Sequence, residues 1–138
     1  MARIIAVDYG GKRTGLAWTD PLQLIATGLG SFSTDTLKEK FAELIQAEEI
    51  DTIVLGYPTR MDGSDSHITE AVREFEKHLQ STYPGLQVVR WDERFTSKMA
   101  MDAMIQGGVK KKKRRDKQLI NEISAVLILQ EYLDRSVP

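Results

Sequence analysis

The spacing of apolar residues changes partway along the chain, and the change divides it into two kinds of element. Residues 3–9 (Arg-Ile-Ile-Ala-Val-Asp-Tyr) are a short apolar run of strand length, and residues 14–19 (Thr-Gly-Leu-Ala-Trp-Thr) read as a second strand. Gly10 and Gly11 between them suit a hairpin turn that needs positive φ. Residues 24–32 alternate loosely as a third strand, weakened by Gly28 and Gly30. From residue 36 to 48 the period becomes helical, with Leu37, Phe41, Leu44 and Ile45 on one face and Asp35 placed to cap it. Residues 52–56 read as a buried strand, 66–82 as a helix with Ile68, Val72, Phe75 and Leu79 in phase, and 86–92 as a strand. Thr96 caps a short helix holding Met99, Ala103 and Met104, which stops at Gly107-Gly108. A last helix over 117–134 carries Ile120, Ile123, Ser124, Leu127, Ile128 and Glu131 at helical spacing. The order βββαβαβαα predicts an α/β fold: an antiparallel meander continued by parallel strands, with helices on both faces.

Composition narrows the class. The 138 residues suit a single domain spanning 1–138, and 41% hydrophobic with 28% charged residues is an ordinary globular mixture. Without cysteine there is no disulfide, zinc-thiolate site or iron–sulfur cluster. No run reaches the roughly 18 apolar residues of a membrane span, and the first residues lack the apolar core of a signal peptide. The expectation is a cytoplasmic protein with no membrane partner.

The net charge of −1 conceals an uneven distribution. Lys110, Lys111, Lys112, Lys113, Arg114, Arg115 and Lys117, less Asp116, give residues 110–117 a charge of +6, so the remainder carries −7. Seven cations in eight residues repel one another and cannot pack. As a solvated loop the stretch has no further meaning; as an arm on nucleic acid it supplies salt-dependent, sequence-independent contacts to phosphate. Its position between two helices favours the arm.

Acidic residues mark the other candidate chemistry. Asp8 ends the first strand, where an ionised carboxylate escapes the desolvation cost of the core. It either caps the Gly10-Gly11 turn or projects into a cleft that a phosphate can enter. Asp92-Glu93-Arg94 ends the last strand, and Gly56-Tyr57-Pro58 the one between, followed by Met61-Asp62-Gly63. Ligands of such sheets sit beyond the carboxyl ends of the strands. Asp8 and Glu93 meeting there would offer the hard oxygen ligands of Mg²⁺ or Mn²⁺; the alternative for Asp92-Glu93-Arg94 is a surface ion pair. Lys12, Arg13 and Arg94 are further candidate phosphate contacts, with Lys12 and Arg13 equally readable as exposed hairpin cations. His67 and His78 are too dispersed for a zinc site or a histidine-based triad and are expected at the surface. Trp18 and Trp91 are expected to be core or partly buried strand residues rather than base-stacking platforms. A P-loop and a Gly-x-Ser-x-Gly elbow are both missing from the sequence.

Five segments together resemble the YqgF/RuvX family, bacterial pre-16S rRNA nucleases also described as Holliday-junction-resolvase-like. They are Ala6-Val7-Asp8-Tyr9-Gly10, Arg13-Thr14-Gly15-Leu16-Ala17, Gly56-Tyr57-Pro58 with Met61-Asp62-Gly63, Asp92-Glu93-Arg94-Phe95-Thr96-Ser97, and Ser124-Ala125-Val126-Leu127-Ile128-Leu129-Gln130. The resemblance implies an RNase H-like fold, a two-metal nuclease site and maturation of the 5′ end of 16S rRNA. Of the family's three metal-binding acids, two carry over to Asp8 and Glu93. The third, an Asp in the last helix, is Asn121 here, a catalytic-site position that offers an amide oxygen without charge. Fewer carboxylates weaken divalent-metal binding. Glu122, about 100° further round the helix, is not a direct replacement. Whether it reaches the metal through water, whether one metal suffices, or whether catalysis is impaired stays open in the sequence.

Three functions are compatible with these residues: a metal-dependent nuclease of structured nucleic acid, for which the resemblance alone implies rRNA precursors over branched DNA; a non-catalytic RNA-binding assembly factor; and a phosphotransferase of the actin and sugar-kinase kind. The last is disfavoured by the short chain. Acting on two strands would suit a homodimer, but no segment marks a dimer face, so both monomer and homodimer remain.

Overall fold

The computed structural model describes residues 2–57, 67–92 and 117–136. The expected short helix after Thr96 lies outside them. Five strands form one sheet, β1 (Arg3–Asp8), β2 (Arg13–Thr19), β3 (Ala26–Ser33), β4 (Ile50–Tyr57) and β5 (Gln87–Asp92), in the order β3-β2-β1-β4-β5. β1 and β2, and β2 and β3, pair antiparallel, while β4 runs parallel to both β1 and β5. Helices α1 (Leu37–Ala47), α2 (His67–Thr82) and α3 (Lys117–Ser136) complete the described fold. No helix among the described residues is long and apolar enough to cross a membrane.

Alternation along each strand sends successive side chains to opposite faces. One face carries Ile5, Val7, Leu16, Ile53, Leu55 and Tyr57, and is closed by Leu37, Phe41 and Leu44 of α1 with Val72, Phe75 and Leu79 of α2. Ile4, Ala6, Ala17 and Val54 point the other way and meet Ala125, Ile128 and Leu129 of α3. The predicted helices on both faces are therefore present, each with its own core.

Three local expectations change. Asp35 does not cap α1: it lies inside a 3-10 turn over Thr34–Thr36, and Thr36 is the N-cap without a side-chain bond. The turn moves the helix start on by one residue. The buried stripe of α3 is Ser124, Ala125, Ile128 and Leu129, with Ile120, Ile123 and Leu127 only half-buried. The stripe is turned because α3 crosses the sheet, from Gly15 of β2 and Gly28 of β3 to Trp91 of β5, whose indole N–H donates to Glu131 at 3.0 Å. Gly28 and Gly30 do not break β3. Gly30 takes a φ of +129°, and the β2–β3 register shifts between Leu16 and Ala17. Trp18 and Trp91 are half-buried strand residues, as expected.

Small residues decide how close α3 comes. A Cβ at Gly15 would run into the Asn121 carbonyl and lie 2.8 Å from the Glu122 amide nitrogen, so backbone rests on backbone. At Gly28 the obstacle is the Glu122 side chain, with Cγ at 2.9 Å. Gly15→Ala should therefore cost about 2–3 kcal/mol in urea unfolding, because neither backbone can yield. Gly28→Ala should cost under about 1 kcal/mol, because a glutamate side chain can swing aside. Equal losses would show that α3 is not seated on Gly15.

On the α2 side, a polar cluster secures the end of β4. Glu76, only 5% exposed, accepts bonds from Arg90 Nε and Nη2 and from the Tyr57 hydroxyl, the last two at 2.8 Å. The Arg90 bonds hold the Glu76 carboxyl below its usual range against the opposing effect of burial. Burial and the bond to Glu76 push the Tyr57 hydroxyl up to about 12, so it stays a donor at neutral pH. A carboxyl with a lowered folded pKa stabilises the fold above its unfolded value, and that contribution is lost as pH falls through the folded value. Because Arg90 is largely exposed, Glu76→Gln should cost only about 1 kcal/mol at neutral pH. The gap to the unsubstituted protein should close as the pH drops below the ordinary glutamate value of 4.5. A gap that persists in acid would mean that the Glu76 charge is not what matters.

Candidate active site

The β1–β2 connection, from Tyr9 to Lys12, is held by a closed ring of hydrogen bonds. The Thr34 hydroxyl donates to the Gly10 carbonyl at 2.7 Å. Its one proton is thereby used, so the 2.8 Å bond between the two hydroxyls must take its proton from Thr14. The Thr14 oxygen, fully buried, accepts the Gly10 N–H in turn. The Thr34 amide donates to the Lys12 carbonyl at 2.9 Å. Residues 10–12 are thus fixed to β2 and to the end of β3.

This connection does not use positive φ at Gly10 or Gly11. Gly10 is required by space instead, because a Cβ there would strike the Arg13 carbonyl. At Gly11 a Cβ would only touch Ile68 at 3.4 Å.

Asp8, half-buried, sits at the last position of β1, opposite Gly15 of β2. The alternation that turns Ile4 and Ala6 toward α3 places Asp8 on the same face. Asn121, in the first turns of α3, reaches this face from above. Its Nδ2 donates to the Arg13 carbonyl at 3.4 Å and lies 3.8 Å from where a Gly10 Cβ would be. Only an amide nitrogen can make that bond, since the carbonyl needs a donor. The side-chain oxygen of Asn121 is then the atom that can serve as an acceptor or ligand. Glu122 is directed to Gly28 on β3, away from the Asp8 end of β1. Its side chain is therefore not a stand-in for a carboxylate at 121.

The basic candidates divide. Lys12 is exposed at the turn. Arg13 is engaged, donating from Nη2 to the Ser31 carbonyl at 2.6 Å and from Nε to the Ser31 hydroxyl at 3.2 Å. A phosphate there would compete with the β2–β3 contact. Glu93, Arg94, Lys110, Lys111, Lys112, Lys113, Arg114 and Arg115 lie outside the described residues. Lys117 opens α3. β5 reaches Asp92 in register with Tyr57 of β4, at the sheet edge where β1 also ends.

Among the described residues no group of three or more His, Asp or Glu side chains could hold a metal ion. Asp8 and Asn121 nevertheless supply hard oxygen donors on one face, the type that Mg²⁺ and Mn²⁺ select. His78 is half-buried rather than on the surface, stacked 6.3 Å from Phe75 and 3.4 Å from the Thr82 hydroxyl. Burial, then Lys38, lowers its pKa. His67 opens α2.

Sequence reasoning missed the Thr14–Thr34 pair and the seating of α3 on Gly15. Both join residues far apart in the chain, and neither leaves a local pattern. Thr14 and Gly15 do fall within a segment that carries the family resemblance, but their roles appear only when β2 and α3 are together.

Comparison with known proteins identifies the family and the fold. The family model described as "RuvX: Holliday junction resolvase" matches residues 2–135. A protein of Christiangramia forsetii named "Putative pre-16S rRNA nuclease" is 48% identical over 133 residues, covering 96% of this chain and 98% of its own. Same-named proteins of Parabacteroides distasonis and Porphyromonas gingivalis are 47% and 46% identical over 134 residues, each covering 97% of this chain and 96% and 97% of their own. Thermus thermophilus RuvC, solved in complex with a Holliday junction substrate, superimposes with a TM-score of 0.58 at 13% identity, covering 99% of this chain and 97% of that one. That likeness shows the shared RNase H-like fold. With the family model matched over nearly the whole chain and relatives at this identity, the chain belongs to the RuvX family of phosphodiester-cleaving enzymes.

Proposed function

We propose that this protein is a divalent-metal-dependent nuclease of structured nucleic acid, and that its substrate is the 5′ region of the 16S rRNA precursor. The observation that carries the reading is the approach of Asn121 to the Asp8 strand end across a turn with no slack in it. The names of the relatives support the substrate. An rRNA substrate places the protein in the cytoplasm.

In this reading Asp8, Glu93 and the side-chain oxygen of Asn121 hold Mg²⁺ or Mn²⁺. When bound, the metal supplies Lewis acidity toward phosphate and a more acidic water. The protein's own contribution is positional. Asp8 is fixed at a strand terminus, and the Gly10–Thr14–Thr34 ring keeps the turn beside it in one conformation. Gly10 and Gly11 leave the backbone uncovered where a phosphate would approach. Lys12, Arg94 and the 110–117 cations hold the phosphodiester backbone by charge. Such contacts carry no base information, so the choice of site must come from the shape of the RNA.

Asn121 also favours a second reading, in which the fold binds RNA precursors without cutting them. An amide at this position ties α3 to the hairpin through the Arg13 carbonyl, which a carboxylate cannot do. The cost is one negative charge at the metal.

The deciding experiment is a cleavage panel on a 16S precursor 5′ segment and a four-way DNA junction, each with Mg²⁺, Mn²⁺ or chelator. Metal-dependent cleavage of the RNA is expected, with Asp8→Asn reducing it by more than about 100-fold and leaving the thermal midpoint unchanged. Full activity of Asp8→Asn would remove Asp8 from the mechanism, and binding without cleavage by the natural protein would select the assembly-factor reading. Preference for the junction would transfer the substrate to branched DNA.

Asn121→Asp should lower the metal concentration needed for half-maximal cleavage by about tenfold, since affinity follows ligand charge. It should also lower stability by about 1 kcal/mol, because a carboxylate cannot donate to the Arg13 carbonyl. Unchanged metal dependence would place Asn121 outside the ligand set. Neutral replacements within 110–117 should flatten the slope of log affinity against log salt by about 0.7–0.9 for each phosphate no longer neutralised. An unchanged slope would show that the segment does not touch phosphate.

A further inference from the structure

The edge of the sheet opposite Asp8 carries a second surface that nuclease chemistry does not need. Between β2 and β3 the loop 20–25 exposes three large aliphatic side chains close together in sequence: Leu22 is 56% exposed, Leu24 71% and Ile25 66%. Among the described residues these are the exposed large hydrophobics. Single exposed leucines are ordinary; three gathered on one short loop are not.

The loop is also rigid. The Asp20 carboxylate accepts the amides of Leu22 at 3.1 Å, Leu24 at 2.9 Å and Ile25 at 2.7 Å. Gln23 takes a left-handed φ of 59°, a conformation that costs a non-glycine residue about 1–2 kcal/mol. Its side-chain amide donates to the Ala2 carbonyl at 2.8 Å and to Asp51 at 3.4 Å. Strain and hydrogen bonds thus hold aliphatic groups in water, where they gain nothing for the fold. A preordered loop binds without paying for its own ordering.

Beside the loop lies a cleft of about 580 Å³ with Leu22 and Leu24 on one side and Asp51, Tyr132, Leu133 and Asp134 among its other walls. Among the described residues its lining includes two carboxylates and no lysine or arginine. Outside residues 110–117 the whole chain carries −7. The Asp20 carboxylate is turned inward on the loop amides, so Asp51 and Asp134 set the charge of the cleft.

We infer that this cleft and loop dock a cationic polypeptide segment bearing aliphatic side chains, contributed by another protein. The aliphatic residues would pack on Leu22, Leu24 and Ile25, and the cations would face Asp51 and Asp134. The same charges argue against other occupants. Nucleic acid and anionic lipid surfaces are repelled. A two-fold dimer closing on this patch would bring the aspartates of both copies into one interface. The docking surface stands apart from the nuclease reading, since it lies at the amino edge of the parallel strands, beside Ile4, Thr52 and Gln87, with the length of β1 between it and Asp8.

The test is a selection of random displayed peptides on the full chain, with counter-selection on the L22S/L24S/I25S triple variant, followed by fluorescence anisotropy of the recovered peptides. All three positions are exposed, so the variant should keep its thermal midpoint. Recovered sequences should combine Lys or Arg with Leu, Ile or Val. Both the triple variant and D51K/D134K should bind them at least about tenfold more weakly, and amide shifts on binding should map to residues 20–25 and 132–134. RNA cleavage should be unchanged in both variants, so a failed docking test and a failed nuclease test remain separate results. Acidic or unenriched peptides, undiminished binding by either variant, or self-association abolished by the triple substitution would each overturn the proposal.

Discussion

Helix α3 lies where it does because β2 presents no side chain at residue 15. The Asn121 carbonyl and the Glu122 amide occupy the space that a Cβ would need, so helix and sheet meet at backbone distance. From that contact the other relations follow. Asn121 is brought to the Arg13 carbonyl and the Asp8 end of β1, Glu122 falls on Gly28, and the helix is aimed across the sheet toward Trp91. Moving α3 outward by the thickness of a methyl group would separate the two residues that most resemble a site.

The two edges of the sheet then differ in character. At the carboxyl edge of the parallel strands, the Thr14–Thr34 ring and the Glu76–Arg90–Tyr57 cluster stiffen the ends of β1 and β4 from one face, the face that α1 and α2 cover. Stiffness there favours chemistry, because a ligand set must be held in place before the substrate arrives. At the amino edge, the Asp20 loop is equally ordered but apolar and acidic, properties suited to a protein and unsuited to RNA. On the proposed readings, this separation would keep a charged substrate and a docking partner from competing for one surface.

Charge is unevenly divided along the chain. The +6 of residues 110–117 enters just before α3, whose first turns carry Asn121, and the compensating acids are dispersed over the rest of the chain. A protein of net charge −1 can therefore bind polyanions locally while its body stays weakly repelled by them.

Much of the fold is legible in the order of the amino acids. The apolar run at 3–9, the strand read at 14–19 and the helical spacing at 66–82 reappear within a residue or two, because a strand buried on both faces is apolar throughout and a helix packed on a sheet buries one face. Asp8 stands out for the same reason: a carboxylate that ends an apolar strand needs an explanation that its neighbours do not. The cap at Asp35, the positive φ at Gly10 and Gly11, and the stripe on α3 differ from expectation, since each depends on a partner from elsewhere in the chain. Periodicity and residue type, which are local, determined the elements, the strand-end acid and the basic segment. Which way Glu122 points, what Asn121 donates to, what occupies Arg13 and which aliphatics stay in water are contacts between residues far apart, and only the packing of α3 and β3 against β2 decided them.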